Sequence, residues 1–181
     1  MGLSTYAYKG LDNLDCLFDE CGEPVDPVTR EPYENYVQLY RSPGFPEQAD
    51  DLKEMGWYLY KESDHFYSAS YLGYNWWRET LAKLAGYEPV SYERIQGYAP
   101  SKVLSHQVGA FEVDSGAFHE LICFSDCEGT IGAKTSAKLA KDFAEFDEKA
   151  KSLGDDRFYK GYELFRKCFE FASDNGAVKF T

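Results

Sequence analysis

An α+β fold, a small antiparallel sheet from the N-terminal half packed against three main helices at about 70–85, 135–153 and 156–173, is predicted by three observations. Short β-prone runs crowd the start of the chain, helical periodicity dominates its end, and the two do not alternate as in a βαβ protein. At 181 residues, with no internal repeat, low-complexity tract or linker, residues 1–181 read as a single domain.

The elements follow in order. Ser4 to Lys9 alternates small and aromatic side chains and reads as a strand that Gly10 ends. Leu11 to Pro32, rich in acids with Gly22, Pro24, Pro27 and Pro32, reads as an irregular loop with one helical turn over Asp15 to Phe18. Tyr33 to Tyr40 is β-like, with Tyr36, Gln38 and Tyr40 on one face and Val37 and Leu39 on the other. Gly56 to Lys61 and His65 to Ser68 then read as the two arms of a hairpin.

Ser68 to Gly86 is the clearest helix. Ser68 or Ser70 can accept from the free amides of its first turn, and Gly86 suits the left-handed residue that stops it. Tyr74, Trp77, Leu81 and Leu84 recur at helical spacing and face the core, while Tyr71, Asn75 and Arg78 form a separate polar strip. Tyr87 to Gln107, broken by Pro89, Gly97 and Pro100, reads as a long connection. Val108 to Val113 reads as a strand, and residues 117–124 fit a helix or a buried strand equally.

From Thr135 to Leu153, the stripe Leu139, Phe143, Phe146, Ala150 and Leu153, with the pairs Glu145–Lys149 and Asp147–Lys151, predicts an amphipathic helix. Asp156 to Ser173 predicts another, with Phe158, Tyr162, Phe165, Phe169 and Ala172 inward. Asp174-Asn-Gly marks a turn before a closing strand, Ala177 to Phe180.

Composition narrows the function. The chain is 44% hydrophobic and 17% aromatic, too rich for disorder, and holds no apolar run of the roughly 18 residues a membrane span needs. Net charge is −12, and residues 1–70 carry −9 of it, a surface that repels phosphate backbones and argues against direct nucleic-acid binding. The N-terminal MGLSTYAYKG has no secretory pattern, and its residue 6 is Tyr where a myristoylation motif needs Ser or Thr, which predicts a cytoplasmic protein. The five cysteines read as free thiols, since Cys16-x4-Cys21 and Cys123-x3-Cys127 miss the two-residue gaps of zinc ribbons. No metal or cofactor is expected.

The most motif-like run is Phe124 to Phe143, in which Asp126, Glu128, Gly129 and Gly132 lead into a helix beginning at Thr135 or Ser136. It is only a fragment of an EF-hand, so its carboxylates compete between holding the loop and touching a ligand. Arg offers a planar fork, Asn a donor and an acceptor, and Tyr a stacking ring. The expected site is therefore a pocket between Tyr71, Tyr74, Asn75 and Arg78 on one wall and Asp126, Glu128 and Gly129 on the other, for a small polar ligand such as a nucleotide or sugar.

The runs SYLGYNWWRETLAKLAGY and FHELICFSDCEGTIGAKTSAKLAKDFAEF, with the ending FEFASDNGAVKF, resemble a family of small uncharacterised proteins of bacteria and their phages, over residues 55–181. The resemblance implies a bacterial or phage cytoplasmic protein that sequesters a ligand or inhibits a host-defence protein, and it transfers no catalytic role. The family's run has Pro near Lys134, which this chain lacks.

Three functions follow: a non-catalytic ligand-binding protein; an acidic protein-interaction module acting through residues such as Asp50, Asp51 and Glu54; and a hydrolase-type enzyme using His119, Glu120 and Asp126 as acid–base groups. No G-x-S-x-G, P-loop, G-x-G-x-x-G or H-E-x-x-H motif supports the last.

Overall fold

The computed structural model describes residues 2–96 and 99–181. It is an α+β protein. In chain order the strands and helices are β1 (Gly2–Lys9), β2 (Asp12–Asn13), β3 (Leu17–Phe18), β4 (Pro24–Val25), β5 (Tyr36–Tyr40), β6 (Met55–Leu59), β7 (Glu62–Ser70), α1 (Tyr71–Ala85), β8 (Val90–Gln96), β9 (Ala99–Ser105), α2 (His106–Ala110), α3 (His119–Ile122), β10 (Gly129–Gly132), α4 (Ala133–Glu145), α5 (Asp147–Ser152), α6 (Asp156–Ala172) and β11 (Ala177–Phe180), with a 3-10 turn at Pro46–Ala49.

The central sheet runs β10-β11-β1-β7, all antiparallel, so it unites both ends of the chain rather than the N-terminal half alone. Its inner face packs Leu3, Ala7, Ile131, Val178 and Phe180 against the buried stripes of α1, α4 and α6. Each of these apart from Ala7 contributes about 1.5–3 kcal/mol by leaving water. A smaller sheet, β2-β6-β5, gathers Leu11, Val37, Leu39, Leu52 and Tyr58 into a second core. Val37 and Leu39 are the inward face of β5, as the alternation requires.

Several expectations are corrected. β6 and β7 are not arms of one hairpin: β6 pairs with β2 and β5, whereas β7 pairs along all of β1, so Tyr60 and Lys61 carry the chain from one sheet to the other. Alternation within two neighbouring runs says nothing about which partner edge each will take. The helical turn expected over Asp15 to Phe18 is instead strand β3, paired with β4. Tyr87 to Gln107 holds an antiparallel ribbon, β8-β9; Gly97 lies outside the described residues. Val108 to Val113 is not a strand, because the Ser105 hydroxyl accepts from the Val108 amide at 3.1 Å and starts α2. Residues His119–Ile122 resolve the open choice as a short helix.

α1 matches its prediction closely. Ser70 Oγ accepts from Gly73 N at 3.1 Å, and Gly86 closes the helix at φ 91°. Ser70→Ala should therefore cost about 1 kcal/mol in chemical denaturation, and Ser68→Ala should not report on this cap.

The helix expected from Thr135 to Leu153 begins at Ala133 and breaks at Phe146, dividing it into α4 and α5. α5 ends at Ser152, so Leu153 follows the helix and is exposed rather than in the stripe. Asp147 and Lys151 pair at 2.8 Å as the spacing predicts, but Lys149 bonds to the Leu84 carbonyl instead of Glu145. α6 buries Phe158, Tyr162, Phe165, Phe169 and Ala172 as expected.

Candidate functional site

α1 and the 125–132 segment, the two predicted walls, do meet. Asn75 Nδ2 donates to Asp126 Oδ2 at 2.8 Å, and Arg78 Nη2 lies 3.7 Å from the same oxygen. Arg78 Nη2 also donates to Asn75 Oδ1, and the guanidinium sits 4.7 Å from the centre of the Tyr74 ring. The arrangement is a closed network rather than an open gap, although Arg78 Nε and the Tyr74 hydroxyl are buried within it without a hydrogen-bond partner.

Arg78 is the residue whose surroundings differ most from the polar strip expected. It is 4% exposed, and its Nη1 donates to the carbonyls of Ile122, at 3.2 Å, and Phe124. These carbonyls end α3 and begin the loop, where the helix dipole and unpaired acceptors favour a cation. Arg78 therefore ties α1 to the loop. Tyr74 is wholly buried, and burial pushes its hydroxyl up despite the neighbouring guanidinium.

The loop is held from within as well. Ser125 Oγ accepts from the amides of Cys127 and Glu128, each at 3.2 Å. Asp126 is kept below the usual carboxylate range, first by the Asn75 hydrogen bond and further by Cys127 and Arg78, which together outweigh burial. Cys127 donates to Asp126 Oδ1 at 3.2 Å, which pushes its thiol up and makes it a poor nucleophile. Gly129, at φ 139°, opens β10 in backbone that an L side chain rarely adopts.

What remains accessible is a depression of about 470 Å³ lined by Tyr40, Tyr71, Cys127, Glu128, Lys179, Phe180 and Thr181. Of the seven predicted site residues, Tyr71 and Glu128 face it. Tyr74, Arg78 and Gly129 lie in the packed structure behind it, with Asn75 and Asp126 joining the walls. Tyr40 and Lys179 complete the depression, and the sequence offered no local signal for them, since each belongs to a strand read for its pairing alone. Burial, then the Glu128 charge and its hydrogen bond, push the Tyr40 hydroxyl up, so it stays protonated as a donor.

The other candidate groups are committed elsewhere. His119 Nε2 lies 2.8 Å from the Val113 carbonyl, Glu120 pairs with Lys138, and Asp126 is held as above. Of the carboxylates expected to form an acidic docking face, Asp50 pairs with the Lys134 ammonium at 2.6 Å, and Asp51 accepts from the Lys134 amide at 3.2 Å and so caps α4. That bond replaces Thr135 or Ser136 as the start signal of the helix. All five cysteines are free thiols, and among the described residues no group of three His, Cys, Asp or Glu side chains could hold a metal ion. Among the described residues no helix is long and apolar enough to cross a membrane. Comparison with family models, curated proteins and solved structures gives no match.

Proposed function

We propose that the protein is a non-catalytic binder of a small polar ligand, taken up in the depression between Tyr71 and Glu128, in keeping with the bacterial or phage setting its resemblance implies. The observation that carries this reading is the chemistry of the wall: two tyrosines, one carboxylate and one ammonium stand around a single hollow, backed by walls that the Asn75–Asp126 hydrogen bond ties together. A pre-organised wall loses little entropy when a ligand docks. One cation balanced by one carboxylate, beside two tyrosine hydroxyls, suits a polyhydroxylated, uncharged ligand, a sugar or the ribose of a nucleoside, better than a phosphate.

Ligand-detected NMR with a panel of monosaccharides and nucleosides tests this. At least one should bind, and Glu128→Gln should weaken it about tenfold or more, the loss of a charged hydrogen bond, without lowering the melting temperature. Binding that is indifferent to both Glu128→Gln and Tyr71→Phe, or a panel that does not bind at all, would refute the reading.

A further inference from the structure

A second hollow, of about 280 Å³, lies on another flank of α1, where it meets α6 and the end of β7. Its lining contains Tyr67, Trp77 and Leu164 on the apolar side and Arg157 and Lys160 on the polar side, and no carboxylate. The chain as a whole has 31 acidic and 19 basic residues, so this lining is locally opposite in charge to the molecule.

Neither Arg157 nor Lys160 makes an ion pair or hydrogen bond among the described residues, although both stand on one face of α6, three residues apart. Arg157 is nevertheless held in place: its guanidinium lies 4.9 Å from the centre of the Trp76 ring. A cation–π contact restrains the guanidinium without consuming any of its N–H donors, which stay available for an oxyanion. The Tyr67 hydroxyl, which has no hydrogen-bond partner among the described residues, adds a neutral donor to the same lining.

The apolar side is equally well defined. Trp77 is anchored by its indole N–H to the Phe158 carbonyl at 3.2 Å, and it packs against Gly161, where a Cβ would come within 2.8 Å of the indole nitrogen. The hollow thus offers a rigid aromatic wall with two cations and a hydroxyl at its mouth. We propose that it binds a small aryl anion, a flat ring bearing a carboxylate or phosphate, with the ring against Tyr67 and Leu164 over the edge of the buried Trp77 and the oxyanion between Arg157 and Lys160. This proposal is independent of the Tyr71–Glu128 site.

Phenyl phosphate is the probe, with benzoate, benzyl alcohol and inorganic phosphate as comparators, each titrated into the full chain by calorimetry. Phenyl phosphate or benzoate should saturate one site, and benzyl alcohol and inorganic phosphate should each bind at least about tenfold more weakly, because each carries only half of the recognition. The arms also separate an aryl phosphate from an aryl carboxylate as the preferred source of the anion. Lys160→Gln, a change at an exposed and unpaired side chain, should weaken the aryl anion about fivefold or more with an unchanged melting temperature. Arg157→Gln should weaken it further, while Glu128→Gln leaves it unaltered. Absence of saturation by both aryl anions at millimolar concentration, equal binding of benzyl alcohol, or full affinity in Lys160→Gln would each overturn the proposal.

Discussion

Arg78→Ala is expected to lose about 3–5 kcal/mol of stability, measured by chemical denaturation, the usual cost of removing one partner from a buried charged network. Three consequences act together. The carbonyls of Ile122 and Phe124 lose the donor that reaches them, Asn75 and Asp126 lose their cation, and a space opens beside the Tyr74 ring. Arg78→Lys should recover only part of this, because a single ammonium cannot reach two carbonyls and the Asn75 amide with the fixed fork of a guanidinium. If the network is the tie between α1 and the loop, Asn75→Ala and Arg78→Ala should be strongly non-additive in a double-mutant cycle. Additivity would mean that they act separately.

The same network has a pH signature. The folded pKa of Asp126 lies below its ordinary value of 3.8, so its contribution is complete above that value and is lost as pH falls through the lower folded one. An Asp126→Asn variant should therefore show a flatter stability profile than the parent below about pH 4. A parallel fall in both proteins would remove Asp126 from the acid response.

Gly129→Ala is the second large effect, expected to cost about 2–4 kcal/mol from backbone strain and overpacking combined. At φ 139° an L residue is strained whatever the space around it, and the space is also taken: a Cβ would stand 2.4 Å from Ser42 Oγ and 2.7 Å from the Phe124 ring. The Phe124 ring is lodged between Phe45 and Phe180, at centroid distances of 5.2 and 5.1 Å, so it has no room to retreat. A melting temperature within one or two degrees of the parent would show that β10 can re-enter the sheet by another path. Gly129 is expected as a ligand contact, and this packing gives it a structural task as well.

How much was legible depended on the range of the interaction concerned. α1 was read almost residue by residue, because its cap, its stop signal and its apolar stripe all lie within the helix itself. α6 was equally plain. The break at Phe146 and the exposure of Leu153 were not, since the stripe continues through a bend that only packing imposes. Arg78 shows the limit most clearly: it lies one turn after Tyr74 and only about 40° round the helix from it, so the strip that looked polar in sequence is partly the edge of the buried face.

The sequence by itself determined the α+β class, the start and end of α1, the inward faces of β5, α1 and α6, and the closing strand, because each follows from periodicity and chemistry within a few residues. The tertiary structure alone decided which edge each strand takes and which carboxylate caps which helix. Asp51 reaches across to start α4, and Glu79 accepts from the His106 and Gln107 amides, at 2.8 and 3.0 Å, to start α2. It also decided that Asn75, Arg78 and Asp126 bond to one another. A buried polar group must find a partner wherever the fold brings one, and no local pattern encodes a partner dozens of residues away.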